Sequence, residues 1–281
     1  MKYIFWCCCS AAMLFGCKTI DAPTRQVAQC YDTSTLTPED NRLADSLLAV
    51  GLDNEALYTL FAPLKPISTI AQFSMTVPPS DSTGKRNVVS PDAPDLARVR
   101  QFQRIANTLH SERVMLLLIP FRRVEKGKRF FQLVAVDKPL LAQYIARDQA
   151  FWGQWGFVSE SNLATVLTVT EFEEKLERYR GYGYLFGYPE HAITFFVEAA
   201  RSQDSTGVFV KRDFFQIPVY SGKEGHFVYA VPKGYAPTES DSVIYRTAVD
   251  ALERYKRIRT KYLNPDGRLR AIDLLRDACN R

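Results

Sequence analysis

VMLLLIPFRRVEKGKRFFQLVAV, at residues 114–136, sets the fold of the whole chain. Six apolar residues run unbroken from Val114 to Ile119, and a second, nearly continuous apolar run covers Phe130 to Val136. Lys126-Gly127-Lys128 lies between them as a turn. A half-buried strand alternates apolar with polar residues. These two do not, so each is expected to bury both of its faces in the middle of a sheet. The pair is a predicted β-hairpin whose strands sit mid-sheet.

On the N-terminal side, 95–110 reads as a helix, with Leu96, Val99, Phe102, Ala106 and Leu109 recurring at three and four. Further back, Thr37-Pro38-Glu39-Asp40 is a helix start with Thr37 as N-cap and Pro38 in the first turn. Leu43, Leu47 and Leu48 form its stripe, and Gly51 stops it. A short helix with Leu57, Leu60 and Phe61 follows, ended by Pro63 and Pro66, and 73–77 is a short predicted strand. Residues 78–94, rich in Pro, Ser and Asp, read as a long loop.

On the C-terminal side, 138–152 is predicted helical. Thr170 with Glu173 reads as a capping box for a helix through Tyr179, closed by Gly181. Pro189 suits the first turn of another helix bearing Ala192, Phe196 and Ala199. Strands are expected at 208–219 and 227–231, with Pro218 marking an edge or a bend. A long helix over 240–262 and a last one bearing Leu269, Ile272 and Leu275 complete the chain. Hairpins punctuated by helices give an α+β fold: an antiparallel sheet of about four to six strands, with helices packed mainly on one face.

The N-terminus has a different character. Lys2 precedes a largely apolar run from Tyr3 to Phe15, too short to span a bilayer, and the segment closes on Leu14-Phe15-Gly16-Cys17. This ending resembles the lipobox of bacterial lipoprotein signal peptides, with Phe15 where a small residue is usual. The resemblance implies cleavage before Cys17, acylation of Cys17, and attachment through that lipid to a membrane of the bacterial cell envelope, with the outer membrane as the expected address. The organisation read from the sequence is therefore signal peptide 1–16, tether 17–36 and a single α+β domain over 37–281.

Of six cysteines, Cys7, Cys8 and Cys9 leave with the signal and Cys17 is acylated. Cys30 and Cys279 remain, a candidate disulfide in an oxidising compartment. The 281-residue chain carries a net charge of +5. Its basic excess gathers from Tyr245 onward, where ten Lys and Arg face five Asp and Glu. A solvated helix face is the first reading of that excess, and a surface for anionic headgroups the second. No nucleic-acid motif is present, and an exported protein is not expected to meet nucleic acid.

Motifs for chemistry are sparse. There is no Gly-x-Ser-x-Gly, no phosphate-binding loop and no His-Glu-x-x-His. Ser82-Thr83-Gly84-Lys85 is a lone Ser-x-x-Lys match in the loose loop. His110, His191 and His226 are scattered, so no metal and no cofactor are expected. What stands out is aromatic: Phe151-Trp152-Gly153-Gln154-Trp155-Gly156-Phe157, and Gly181-Tyr182-Gly183-Tyr184-Leu185-Phe186-Gly187-Tyr188 just before Glu190-His191. Rings with polar tips, separated by glycines, suit a groove for sugar rings or an extended peptide. Trp152, Trp155, Tyr182, Tyr184, Tyr188 and His191 are its candidate lining, with core packing as the plainer role for the rings. The expected function is a lipid-anchored envelope module for binding or assembly, with a glycan or a protein as partner. The alternative is an envelope hydrolase acting on a glycan or peptide polymer, using His191, Glu190 and the aromatics; no catalytic residue is assigned.

Overall fold

The computed structural model describes residues 30–79, 89–222 and 227–279. The signal segment, Cys17, the Ser82–Lys85 match and His226 lie outside them. Helices α1 (Pro38–Asp53) and α2 (Leu57–Leu60) precede strand β1 (Ile67–Thr76) and helix α3 (Pro94–Thr108). The hairpin follows as β2 (Val114–Glu125) and β3 (Lys128–Asp137). Helices α4 (Lys138–Arg147), α5 (Gln149–Trp152), α6 (Leu163–Phe172), α7 (Lys175–Leu185) and α8 (Glu190–Thr206) come next. Strands β4 (Arg212–Gln216) and β5 (Val228–Pro232) and helices α9 (Glu239–Arg259) and α10 (Ala271–Cys279) complete it.

The order β1-β3-β2 puts β3 in the centre of an antiparallel sheet, with Leu133 opposite Ala71 and Leu118. Successive side chains of a strand point to opposite faces, so β3 feeds two cores. Phe131, Leu133 and Ala135 join a core built from α1, α2, α3, α9 and α10, while Val134 and Val136 join one built from α4 to α8. This explains why the hairpin sequence is apolar without alternation. The expected α+β class holds, with two refinements. The five described strands are divided three and two, because β4 and β5 pair only with each other. The helices also cover the second face, not mainly the first.

Acids, two of them buried, tie the layers. Asp40 takes a two-pronged contact from Arg104 (2.9 and 3.1 Å) and a third bond from Gln101, joining α1 to α3. Asp53 accepts Arg259 and the Tyr255 hydroxyl, joining α1 to α9. Arg113 satisfies the Thr59 and Leu60 carbonyls and pairs with buried Asp137, which also caps α4. A charged group buried this way is stable only because its hydrogen bonds replace water.

Local signals located α1 well: Thr37 caps it and accepts from the Asp40 N–H at 3.1 Å. Other boundaries moved. The packed region starts by Cys30, not at 37. Tyr31, assigned to the tether, is 2% exposed, and its backbone N–H donates to the His110 carbonyl. The 138–152 helix breaks at Asp148. Strand 208–219 shrinks to Arg212–Gln216, with Val208 and Phe209 exposed ahead of it.

Thr170 does not cap a helix. It lies inside α6, where its hydroxyl donates to the Val166 carbonyl, and the helix expected to close at Gly181 runs through it to Leu185. Gly181 and Gly183 are contact points between helices. A methyl at Gly181 would meet Thr170 Cγ2 at 2.7 Å, and one at Gly183 would meet Ile193 Cγ1 at 2.7 Å. Helix α7 is thus clamped between α6 and α8 at near-backbone distance. Substituting Gly183 by Ala gains about 1 kcal/mol of helix propensity. It also overpacks a β-branched side chain that is 2% exposed, at a cost of about 1–3 kcal/mol. We expect Gly183→Ala to lower the melting temperature; an unchanged or raised melt would show that the α7–α8 contact yields.

Candidate functional site

The six candidate groove residues do not line one groove. Trp152 is fully buried and Tyr184 is 7% exposed; both belong to the second core, where Trp155 packs on Phe151. These rings fill the space under α5 to α7. Tyr188 packs between the two cores, with its ring 5.7 Å from Phe186 and 5.5 Å from Tyr229. His191 stacks on Tyr235, and the Tyr182 hydroxyl meets Gln132 of the central strand β3.

Around Tyr182 there is a groove of about 360 Å³. Its origin is an irregularity in β2. Pro120 pairs with Phe131 and Val124 with Arg129, so three residues of β2 oppose one of β3. Such bulges re-aim side chains and release backbone groups from the ladder. Here the Arg122 N–H leaves the ladder and donates to Glu171 Oε1 at 2.8 Å. Arg129 reaches back to the Phe121 and Arg122 carbonyls. The Arg122 guanidinium goes to the Glu173 carbonyl and to Glu174.

The groove floor is a chain of hydrogen bonds. Thr69 donates to Gln132 Oε1 at 3.2 Å, Gln132 Nε2 donates to the Tyr182 hydroxyl at 3.0 Å, and that hydroxyl donates to Glu171 Oε2 at 2.7 Å. Gln132 is 4% exposed and Glu171 6%. Burial, and then the Glu171 carboxylate, push the Tyr182 pKa upward, so the phenol stays protonated and donates. Phe121 and Phe186 supply apolar walls, and Phe186 stacks on Tyr182 at 5.6 Å. Arg123 and Arg178 stand on the rim, where a second cavity of about 440 Å³ continues past both.

Glu190 and His191 do not act together. Glu190 accepts from Thr194 at 3.0 Å and lies 3.8 Å from Arg180. His191 Nε2 sits 2.9 Å from the Tyr235 hydroxyl and 3.2 Å from Asp241 Oδ1. Asp241 is the hub there, fully buried and closing a capping box at the start of α9. Burial alone would raise its pKa, but hydrogen bonds from Tyr229, Tyr235 and Thr238 outweigh it and hold the carboxyl at about 2. A second buried charge, Lys65, donates to Glu55 at 2.6 Å beneath the Phe227 and Phe186 rings. Burial pushes its pKa down, and Glu55 opposes that shift.

Among the described residues no group of three or more His, Cys, Asp or Glu is arranged to hold a metal ion. No helix of theirs is long and apolar enough to cross a membrane. The basic C-terminal stretch is largely paired, as in Arg246–Glu239, Lys256–Glu253, Arg268–Asp266 and Arg270–Asp273, which fits a solvated helix face. Cys30 and Cys279 lie at disulfide distance, with Cα atoms 6.3 Å apart. Compared with known proteins, the chain matches no family model, no curated protein and no solved structure.

Sequence reasoning found Tyr182 but missed Gln132, Glu171, Arg123 and Arg178. One signal was available: Gln132 is the single polar residue inside the apolar run 130–136.

Asp241 makes a pH prediction. Its carboxyl is held near 2, against 3.8 unperturbed. Ionised Asp241 therefore stabilises the fold above about pH 4, and that contribution, about 2 kcal/mol, is lost as pH falls through about 2. Asp241→Asn should be less stable than the parent at pH 7, with the gap closing between about pH 4 and pH 2 in urea titrations. A gap independent of pH would refute the assignment.

Proposed function

We propose that this chain is a lipid-anchored protein of the bacterial cell envelope that works as a binding or assembly module, presenting the Tyr182 groove to a glycan or protein partner. The address rests on Leu14-Phe15-Gly16-Cys17 after a short apolar run. A Cys30–Cys279 disulfide belongs to the same reading. Both sulfurs come together across nearly the whole chain, and an exported protein is where such a bond persists.

The binding role rests on one observation, the state of the groove floor. Both Glu171 oxygens are engaged, one by the Arg122 N–H and one by Tyr182. A carboxylate so held is a fixed acceptor that positions its neighbours. Glycoside hydrolysis in its common form takes two carboxylates flanking the bond. Among the described residues lining the groove, Glu171 is the only one. The hydrolase alternative built on His191 and Glu190 has less support, since those side chains serve different partners.

Cys17→Ser should abolish metabolic acyl labelling and move the protein from the membrane to the soluble fraction; labelling that persists in the variant overturns the anchor. Non-reducing peptide mapping of envelope-made protein should recover Cys30 linked to Cys279. Cys279→Ser should then cost at most about 5 kcal/mol, the chain-entropy value for so long a loop. Recovery of both residues as free thiols would refute the bond.

A further inference from the structure

We propose that the ligand of the Tyr182 groove is an acidic saccharide, a chain of sugar rings bearing carboxylates, held by apolar contact in the groove and by Arg123 and Arg178 at its rim. This rests on the binding-module reading and adds the ligand class.

The charges of the groove are divided. Inside it lies the Glu171 carboxylate, which repels an anion and whose oxygens are occupied. At the rim stand two guanidinium groups. Neither Arg123 nor Arg178 has a carboxylate at ion-pair distance among the described residues. Several other arginines are committed to a carboxylate, as Arg104 is to Asp40, Arg147 to Asp148, Arg201 to Glu198 and Arg259 to Asp53. Arg122, next to Arg123, is also committed, to Glu174. The bulge thus separates two neighbouring arginines into one that fastens the fold and one that faces outward at the groove. A planar guanidinium matches a carboxylate in a two-pronged contact.

The rest of the lining suits sugar better than peptide. Tyr182 and Phe186 stack on one another, and with Phe121 they give the groove an apolar lining against which the C–H side of a pyranose can pack. The buried Gln132 amide is engaged by Thr69 and Tyr182, and the exposed Gln72 amide beside it can meet a ligand hydroxyl. The two cavities share Arg123 and Arg178, so a chain lying in the groove passes both cations as it leaves. A neutral sugar would leave those cations unused, and a tetraglutamate-like peptide, with no apolar ring face of its own, would leave the aromatic lining unused.

The test is calorimetric titration of the full processed protein in detergent with tetragalacturonate, maltotetraose and tetraglutamate as probes. Tetragalacturonate should bind, weaken as salt rises, and exceed maltotetraose by about tenfold or more. Arg123→Ala and Arg178→Ala should each weaken it about tenfold; the exposed Arg123 should leave the melting temperature unchanged, while Arg178, which also lies over the Tyr179 ring, is read with Arg178→Lys beside it to keep the charge. Arg201→Ala, away from the groove, should bind as the parent does. Equal binding of the two saccharides, unaffected by either arginine variant, would overturn the acidic class while leaving a binding groove in place. Tetraglutamate binding alone, lost in the same variants, would replace saccharide with peptide. Absence of binding by tetragalacturonate overturns the proposal. None of these results bears on the acyl label at Cys17, which decides the anchor separately.

Discussion

Everything in this fold depends on strand β3 being buried on both faces. Leu133, Val134, Ala135 and Val136 are each at most 1% exposed, and they alternate between two cores that share no other strand so evenly. A strand in that position must have neighbours on both edges and helices on both sides, or its apolar surface meets water. The pairing with β1 and β2, and the two helical layers, are four consequences of one run of residues.

The groove lies where that rule lapses. Toward the hairpin tip, the second face carries Thr69, Gln72 and Gln132 in place of Ile67, Val134 and Val136. The helical cover ends there, and the β2 bulge hands one backbone N–H to Glu171 instead of to a strand. A buried polar chain is tolerable only when each member is satisfied, and the Thr69–Gln132–Tyr182–Glu171 series meets that condition with protein groups alone. Order at the floor is therefore intrinsic to the fold. Arg123 and Arg178 at the rim have no carboxylate at ion-pair distance among the described residues and take no part in that series.

Buried charge elsewhere is used as fastening. Asp241 gathers two phenols, a histidine and a helix start into one cluster; Asp40 and Asp53 pin α1 to helices distant in sequence. Lys65 lies between the two cores, with Tyr188 packed against both. Such pairs add little net stability over apolar packing, but removing one partner leaves an uncompensated charge. They set register between layers that hydrophobic contact alone would let slide.

Features under short-range control were legible in the chain. The hairpin follows from two apolar runs and a Lys-Gly-Lys turn, helix α1 from a capping threonine and a proline, and α3, α8 and α9 from stripes at three and four. Local reading misplaced what depends on contacts far along the chain. Thr170 and Glu173 satisfy a local capping pattern, yet Gly181 and Gly183 allow α7 to sit flush between α6 and α8, and that packing decided where the helices run. The same limit hid the groove. An isolated Glu171 or Arg123 reads as solvated surface, because nothing local distinguishes a charge facing water from one facing a distant strand. Only the order β1-β3-β2, with its bulge, brought positions 69, 123, 132, 171, 178 and 182 together. Strand order depends on long-range burial, which no window of neighbouring residues contains.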